Sequence, residues 1–443
     1  MPVFAPRRNS ACVWIPLIAL AGALAPLAHA ADAEPNEASA ADPTGTVTLT
    51  RAIEAAIARN PDLAASAYET RAAEARTQQA GLRPNPELTL ELEDFGGSGE
   101  AQGIDELQST LSLSHVLELG DKRGHRVAVG SADRERTAIE QQARELDVLA
   151  EVTRRFIDVV RDQERLALAR ETSRLVTQTE REIAARAQAA RTPQAELSRA
   201  QIASTRARLD ERLAESELSG ARRTLAAMWG GMEARFDSAG ADLFQSNPLD
   251  SFERLLQRID RNPDFVRFAS EARLRDAQLR LAQVQARPNL TLQAGIRHYK
   301  ASSDVGLVAG FSLQLPVFDR NQGAIAEARV RREQSSAEEH AARVRAQATL
   351  FALYQQLLTS HEQLSTLRNE TLPQAQAALE QTRQGYERGR FSYLELASAQ
   401  QDLLSLRAAV IDTAADSHRL AAEIERLTRE PVSAPRNPIG NSP

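Results

Sequence analysis

The sequence predicts a mainly α fold with a membrane β-hairpin pair: long antiparallel coiled-coil helices, and four strands too few to close on themselves. Three observations carry this. Ser131 to Thr192 contains neither Gly nor Pro, and as one helix it would run about 93 Å, too long to fold back into a compact globule. Directly before it, Leu107-Gln-Ser-Thr-Leu-Ser-Leu-Ser114 alternates apolar and polar side chains, the period of a strand with one apolar face. The same order of elements then recurs about two hundred residues later, the signature of an internal repeat.

Composition agrees with long helices. Among 443 residues aromatics are 4%, and Ala, Arg, Glu, Gln and Leu dominate. The net charge of −6 is spread without a basic block, and Lys occurs only at Lys122 and Lys300, so no nucleic-acid surface is expected. Arg7 and Arg8, an apolar run from Val13 to Leu27, and Ala28-His29-Ala30 read as a secretory signal peptide over residues 1–30. The only cysteine, Cys12, leaves with it. No other segment approaches the roughly 18 apolar residues of a spanning helix, so any membrane crossing is made by strands.

Residues 31–46 read as a disordered linker. The first repeat, 47–247, opens with Thr48-Leu-Thr50, which can cap the helix that follows, and Ile53, Ile57 and Leu63 sit near helical spacing. Arg59-Asn60-Pro61-Asp62 breaks that helix and caps the next, which runs to Ala80. Leu88, Leu90 and Leu92 then alternate with Glu87, Thr89, Glu91 and Glu93 along a strand, and a polar loop leads to the Leu107 strand. The second repeat, 248–430, echoes it. Arg261-Asn-Pro-Asp264 matches Arg59–Asp62, and Arg287-Pro-Asn-Leu290 matches Arg83-Pro-Asn85. Two alternating segments follow, Leu290 to Ile296 and Val305 to Leu315. The turn Asp319–Gly323 parallels Asp121–Gly124, and a Gly/Pro-free helix runs from Ala324 to Leu372. Residues 431–443 read as a flexible tail.

Strands of about ten residues suit a tilted bilayer crossing. Closure of a barrel starts at about eight strands, so either four pack as a soluble layer or several subunits pool them, two giving eight, three twelve and four sixteen. With a secretion signal, an assembled outer membrane barrel fits better. In the helices, Leu149, Val152, Phe156, Val159 and Leu166, and likewise Leu350, Leu353, Leu357, Leu364 and Leu367, keep the spacing of a coiled-coil seam, interrupted by Gln163 and Ser360.

These residues resemble the TolC-like outer membrane efflux proteins over essentially the whole mature chain. The likeness rests on the doubled Asn-Pro-Asp and Arg-Pro-Asn elements, the paired hairpins, and Phe391-Ser-Tyr-Leu-Glu-Leu-Ala-Ser-Ala-Gln400. Ser114-His-Val-Leu-Glu-Leu-Gly-Asp-Lys-Arg123 looks like the heavy-metal-efflux branch, the CzcC type. The resemblance implies an outer membrane homotrimer with a shared twelve-stranded β-barrel and a periplasmic α-barrel. It also implies a periplasmic membrane-fusion adaptor and an inner-membrane pump of the resistance-nodulation-division type. Hairpin tips carried over from the family fall at Ala190–Pro193 and Gly389–Phe391. The adaptor would dock there on Arg191, Thr192, Pro193, Glu196 and Leu197, and on Gly389, Arg390, Phe391, Ser392 and Glu395. Asp402, near a tip, is a candidate for the pore lining, as are Glu87, Glu91 and Glu93 on the polar strand face.

Chemistry of other kinds finds no support. The histidines of the mature chain, His115, His125, His298, His340, His361 and His418, lack metal-ligand spacing, and no phosphate-binding loop, nucleophile elbow or zinc-protease motif occurs. The expectation is a non-enzymatic channel without cofactor, a passive exit duct for divalent metal cations. A duct for drugs or a type I secreted polypeptide, and a soluble periplasmic coiled-coil scaffold, are the competing readings.

Overall fold

The computed structural model describes residues 42–99, 102–189, 191–245, 249–430 and 432. The signal peptide, residues 31–41 of the linker, Ala190 at the first tip, and the tail apart from Val432 lie outside them. From Asp42 onward the described chain is one compact unit. It begins with β1 (Gly45–Val47), α1 (Leu49–Arg59) and α2 (Pro61–Ala80). Next come β2 (Glu87–Glu93), β3 (Gln108–Glu118), α3 (Lys122–Gln188) and α4 (Gln194–Ala227). The second half runs β4 (Phe236–Ala239), α5 (Phe252–Arg258), α6 (Pro263–Gln285), β5 (Asn289–Tyr299) and β6 (Asp304–Leu313). It closes with α7 (Gln322–Thr366), a π-turn (Leu367–Thr371), α8 (Leu372–Glu387) and α9 (Tyr393–Thr428).

The helix starts follow from side chains that satisfy the free N–H groups of a first turn. Thr48 accepts from the Arg51 amide at 3.3 Å. Asn60 accepts from Asp62 and Leu63, and Asn262 from Asp264, each with Pro in the first turn, where no N–H is missed. Each Asn also clamps the far end of its own half. The Asn60 amide donates to the Met228 carbonyl beyond α4, and the Asn262 amide to the Arg426 and Leu427 carbonyls at the end of α9. The repeated Asn-Pro-Asp is therefore a cap and a clasp in one residue.

β2, β3, β5 and β6 form a single antiparallel sheet in that order, the two hairpins joined through β3 and β5. β1 and β4 make a separate parallel pair that the sequence reading missed. α3 packs on α2, α4, α6 and α9. Its 67 residues amount to about 100 Å. One core gathers Val152, Phe156 and Val159 of α3 with Leu225, Trp229, Phe236, Leu364 and Ala414. A second gathers Leu255, Ile259, Leu350, Leu357, Ile424 and Val432.

Several expectations need correction. α3 starts at Lys122, not Ser131, since Gly124 and Gly130 are helical, the latter where α2 passes against its backbone at Thr77. β3 extends to Glu118, but β2 is only seven residues long. Ile57 is exposed, and α1 buries alanines instead. Within the paralleled turns, Asp121 and Asn321 are the matching residues: both precede the long helices in left-handed conformation, which Asp and Asn tolerate. The second long helix does not stop near Leu372 but passes through the π-turn into α8. The leucine series serve cores shared by several elements, and the interruptions have partners. Gln163 brackets Ala239 of β4, donating to its carbonyl at 3.0 Å and accepting from its amide at 2.7 Å. Ser360 donates to the Thr413 carbonyl.

Candidate functional site

The four-stranded sheet is inside out relative to a water-soluble one. Pairing places Leu88, Leu90, Leu111, Leu113, Leu292, Ile296, Leu307 and Phe311 on one face. All of these are exposed, Leu307 at 90% and Phe311 at 77%. The opposite face carries Glu87, Thr89, Glu91, Glu93, Thr110, Ser112, Gln293 and Arg297, and here Thr110 and Ser112 are buried, at 2% and 3%. A contiguous apolar face of this size is not left to water, and strands of this length with such alternation match a bilayer. Its outer edges, β2 and β6, are unpaired among the described residues.

The polar face is tied together by two side chains of β5. Arg297 meets Glu93 of β2 at 3.0 Å and donates to Thr110 and Gln108 of β3. Gln293 donates to Ser112 at 2.8 Å. Between them Gly295 leaves room, since a Cβ there would stand 2.5 Å from the Leu111 carbonyl oxygen. Glu93 is thus engaged, whereas Glu87 and Glu91 are exposed with their carboxylates on the same face. The sequence reading missed Arg297 and Gln293; their spacing of four along an alternating strand was the available signal.

The segment Ser114–Arg123 builds the joint between sheet and helices. Arg126 pairs with Glu118 and donates to the carbonyls of Ala80, at the end of α2, and Leu82, just beyond it. Buried Lys122 donates to the Arg287 carbonyl and the Asn289 side chain, 2.6 Å each, where α6 turns into β5. Sheet and helices are so held in one fixed relation.

At the other end lie the two predicted tips, between α3 and α4 and between α8 and α9. A small core of Ile183, Ala200 and Tyr393, with Leu197, Tyr386 and Ala397 around it, brings them together. Arg186 lies 4.8 Å over the Tyr386 ring. Arg191, Pro193, Gly389, Arg390, Phe391, Ser392 and Glu395 are exposed, Thr192, Glu196 and Leu197 half-buried. The tips differ in their chemistry. Ser392 and Glu395 form a capping box in which Glu395 accepts from the Ser392 amide at 2.7 Å and hydroxyl at 2.9 Å. Those bonds hold the Glu395 carboxyl below its usual range. Pro193, at the matching position, caps α4 with no side-chain bond. Phe391 lies over Gly385, where a Cβ would collide with its ring. Asp402 stands exposed on α9, about three turns from the tip.

Among the described residues no group of three or more His, Cys, Asp or Glu is placed to hold a metal, and no helix is long and apolar enough to cross a membrane.

An inverted sheet fused to rods of this length defines a membrane β-barrel component with an α-helical extension. The family profile for outer membrane efflux proteins matches residues 52–231 and 255–428, and the chain belongs to that family. It is an outer membrane channel protein with a large periplasmic part. Similar proteins include the cobalt-zinc-cadmium resistance protein CzcC of Cupriavidus metallidurans, 26% identical over 85% of this chain and 88% of that one. The nickel-cobalt-cadmium resistance protein NccC of Alcaligenes xylosoxydans xylosoxydans is 25% identical over 62% of each. Among solved structures, CusC superposes with a TM-score of 0.73 at 20% identity, covering 87% of this chain and 93% of that one. VceC of Vibrio cholerae gives 0.68 at 17%, covering 86% and 95%.

Proposed function

We propose that this chain is the passive exit duct of a tripartite efflux pump for divalent heavy-metal cations. Three copies pool their sheets into a twelve-stranded barrel, and their helices continue it as a periplasmic tunnel. The tips at Arg191–Leu197 and Gly389–Glu395 receive a membrane-fusion adaptor, and a resistance-nodulation-division pump supplies the energy. The chain itself catalyses nothing. The observation that carries the duct is the inverted sheet with open edges at β2 and β6. Head-to-tail pairing of those edges buries both rows of free backbone groups and puts the leucine face outward into lipid. The likeness to CzcC and NccC, whose names carry metal resistance, favours cations as cargo. The organisation in two repeats, 47–247 and 248–430, gives each copy two hairpins for the barrel and two for the tunnel. The test is deletion and complementation in the source organism. Loss of cobalt, zinc or cadmium tolerance, restored by the wild-type chain, is expected. Unchanged metal tolerance with new sensitivity to organic biocides would reassign the cargo to drugs.

A further inference from the structure

Between β4 and α5 the chain crosses from one half to the other, and its first part is held at both sides. Ala239 is bracketed by Gln163 of α3. Gly240 donates to the Val47 carbonyl at 2.8 Å. Leu243 is buried in the main core, and its carbonyl meets the His418 Nε2 of α9 at 2.9 Å. The next residue faces the other way. The Phe244 carbonyl accepts from Arg368 Nη1 at 2.9 Å, and the Arg368 guanidinium lies 5.5 Å over the Phe244 ring.

Arg368 sits in the π-turn Leu367–Thr371. A π-turn puts one extra residue into a helix and is a common place for functional irregularity. Above it, α7 is fixed on α9 and α5 by Leu350, Leu357 and Leu364. Below it, α8 fully buries only Gly385, and it is held along α9 and, at the tip, by Tyr386 in the small core around Ile183 and Tyr393. The turn itself fully buries no residue, though half-buried Leu367 packs against the main core. So the irregular turn lies where a helix fixed in the two main cores hands over to one held only by α9 and the tip core, and the Arg368–Phe244 contact ties this turn to the crossover.

We infer that the crossover acts as a latch on the π-turn, with Phe244 holding Arg368 so that α8 and its tip keep one angle to α7. Arg368 is a positioning residue here: it touches no cargo and acts through the helix that carries it. Releasing it lets α8 swing about the turn, which displaces the Gly389–Phe391 tip. The inference deepens the duct reading, since it names the contact that restrains movement at the periplasmic end.

The test uses spin labels that straddle the turn, at Gln363→Cys and Ala377→Cys, both exposed positions, with Cys12 changed to Ser. Fourteen residues of helix separate them, so the labels stand about 21 Å apart along the axis. Arg368→Ala should broaden that distance distribution and raise the bent population about fivefold, the worth of one exposed cation–π contact with its hydrogen bond. Phe244→Ala should do part of the same, and the double variant no more than Arg368→Ala alone, since both remove one contact. Arg368→Lys, still able to donate to the carbonyl and sit over the ring, should stay near wild type. An unchanged distribution in Arg368→Ala overturns the latch. So does a broadening that Arg368→Lys shares fully, because that traces to loss of packing. Single-channel recording of the wild-type protein in planar bilayers judges the duct separately. Absence of any conducting state there defeats the duct while the label distances still decide the latch.

Discussion

The guanidinium of Arg297 spans three strands: from β5 it passes over β3, donating to Thr110, and ends 3.0 Å from the Glu93 carboxylate of β2. Neighbouring strands stand about 4.8 Å apart, so Glu93 and Arg297 are two strand spacings from each other and meet only because both side chains are long. The pair neutralises Arg297 on the polar face of the sheet, whose exposed carboxylates are then Glu87, Glu91 and Asp304.

Replacing Arg297 with Gln removes that cation and frees Glu93. The expected result is a channel that prefers cations over anions more strongly than wild type, read as a shift in reversal potential under a salt gradient. Both partners are partly exposed, so the lost pair costs stability of no more than about 1 kcal/mol. A reversal potential identical to wild type would mean that this face does not line the conduit.

The clasp residues give a sharper stability test. Asn262 is 1% exposed and makes three bonds, one as acceptor and two as donor. At an ordinary helix start Asn and Asp are interchangeable, because only the acceptor counts. Here Asn262→Asp keeps the cap but sets a carboxylate against the Arg426 and Leu427 carbonyls, so it should destabilise as strongly as Asn262→Ala. That loss combines the cap with orphaned buried carbonyls, about 2–4 kcal/mol. Thermal unfolding followed by helical circular dichroism decides it, and a harmless Asn262→Asp would refute the clasp.

Much of this was legible from residue order. Gly and Pro breaks, Asn-Pro-Asp starts and period-two leucines located the helices and strands, because each is a local signal read over a few residues. What stayed hidden is non-local. Gln163 looked like a flaw in a leucine series and proves to hold β4, a strand of four residues too short to announce itself. Gly130 stood just before the expected helix start at Ser131, yet it lies inside α3, where its missing Cβ lets α2 pass close at Thr77. The tips were placed by resemblance, while the capping box at Ser392 and Glu395 could have been read from Ser-x-x-Glu alone.

At the second tip, Gly385 is a packing requirement. A methyl group there drives the Phe391 ring outward. Overpacking of this kind costs about 1–3 kcal/mol, against a gain of at most about 1 kcal/mol for Ala over Gly in a helix. Gly385→Ala should therefore speed proteolysis near Arg388 and Arg390, and Phe391→Ala added to it should restore protection. If Phe391 also contacts the adaptor, the double variant will regain protease resistance without regaining metal tolerance. Recovery of both would remove Phe391 from the docking surface.

His361 sets a pH dependence whose sign can be worked out. It lines a cavity of about 110 Å³ with His418 and Glu425 as the other titratable groups, and Leu243, Gln245, Leu249, Leu364 and Val432 among the rest. Burial, with His418 nearby, pushes its pKa below the ordinary 6.5. The unfolded chain then takes up this proton first as pH falls, so stability declines below about pH 6.5 and levels off once the folded form protonates too. Glu425 acts in the opposite sense. Burial raises its pKa, partly offset by the Val432 amide, so its contribution declines as pH rises from its ordinary 4.5. The opposite signs of the two slopes separate the groups. Between pH 7.5 and 5.5 the unfolding temperature of the wild-type protein should fall, and His361→Gln, which cannot charge, should flatten that slope while leaving the value at pH 7.5 nearly unchanged. A slope that persists unchanged in His361→Gln would remove His361 as its source.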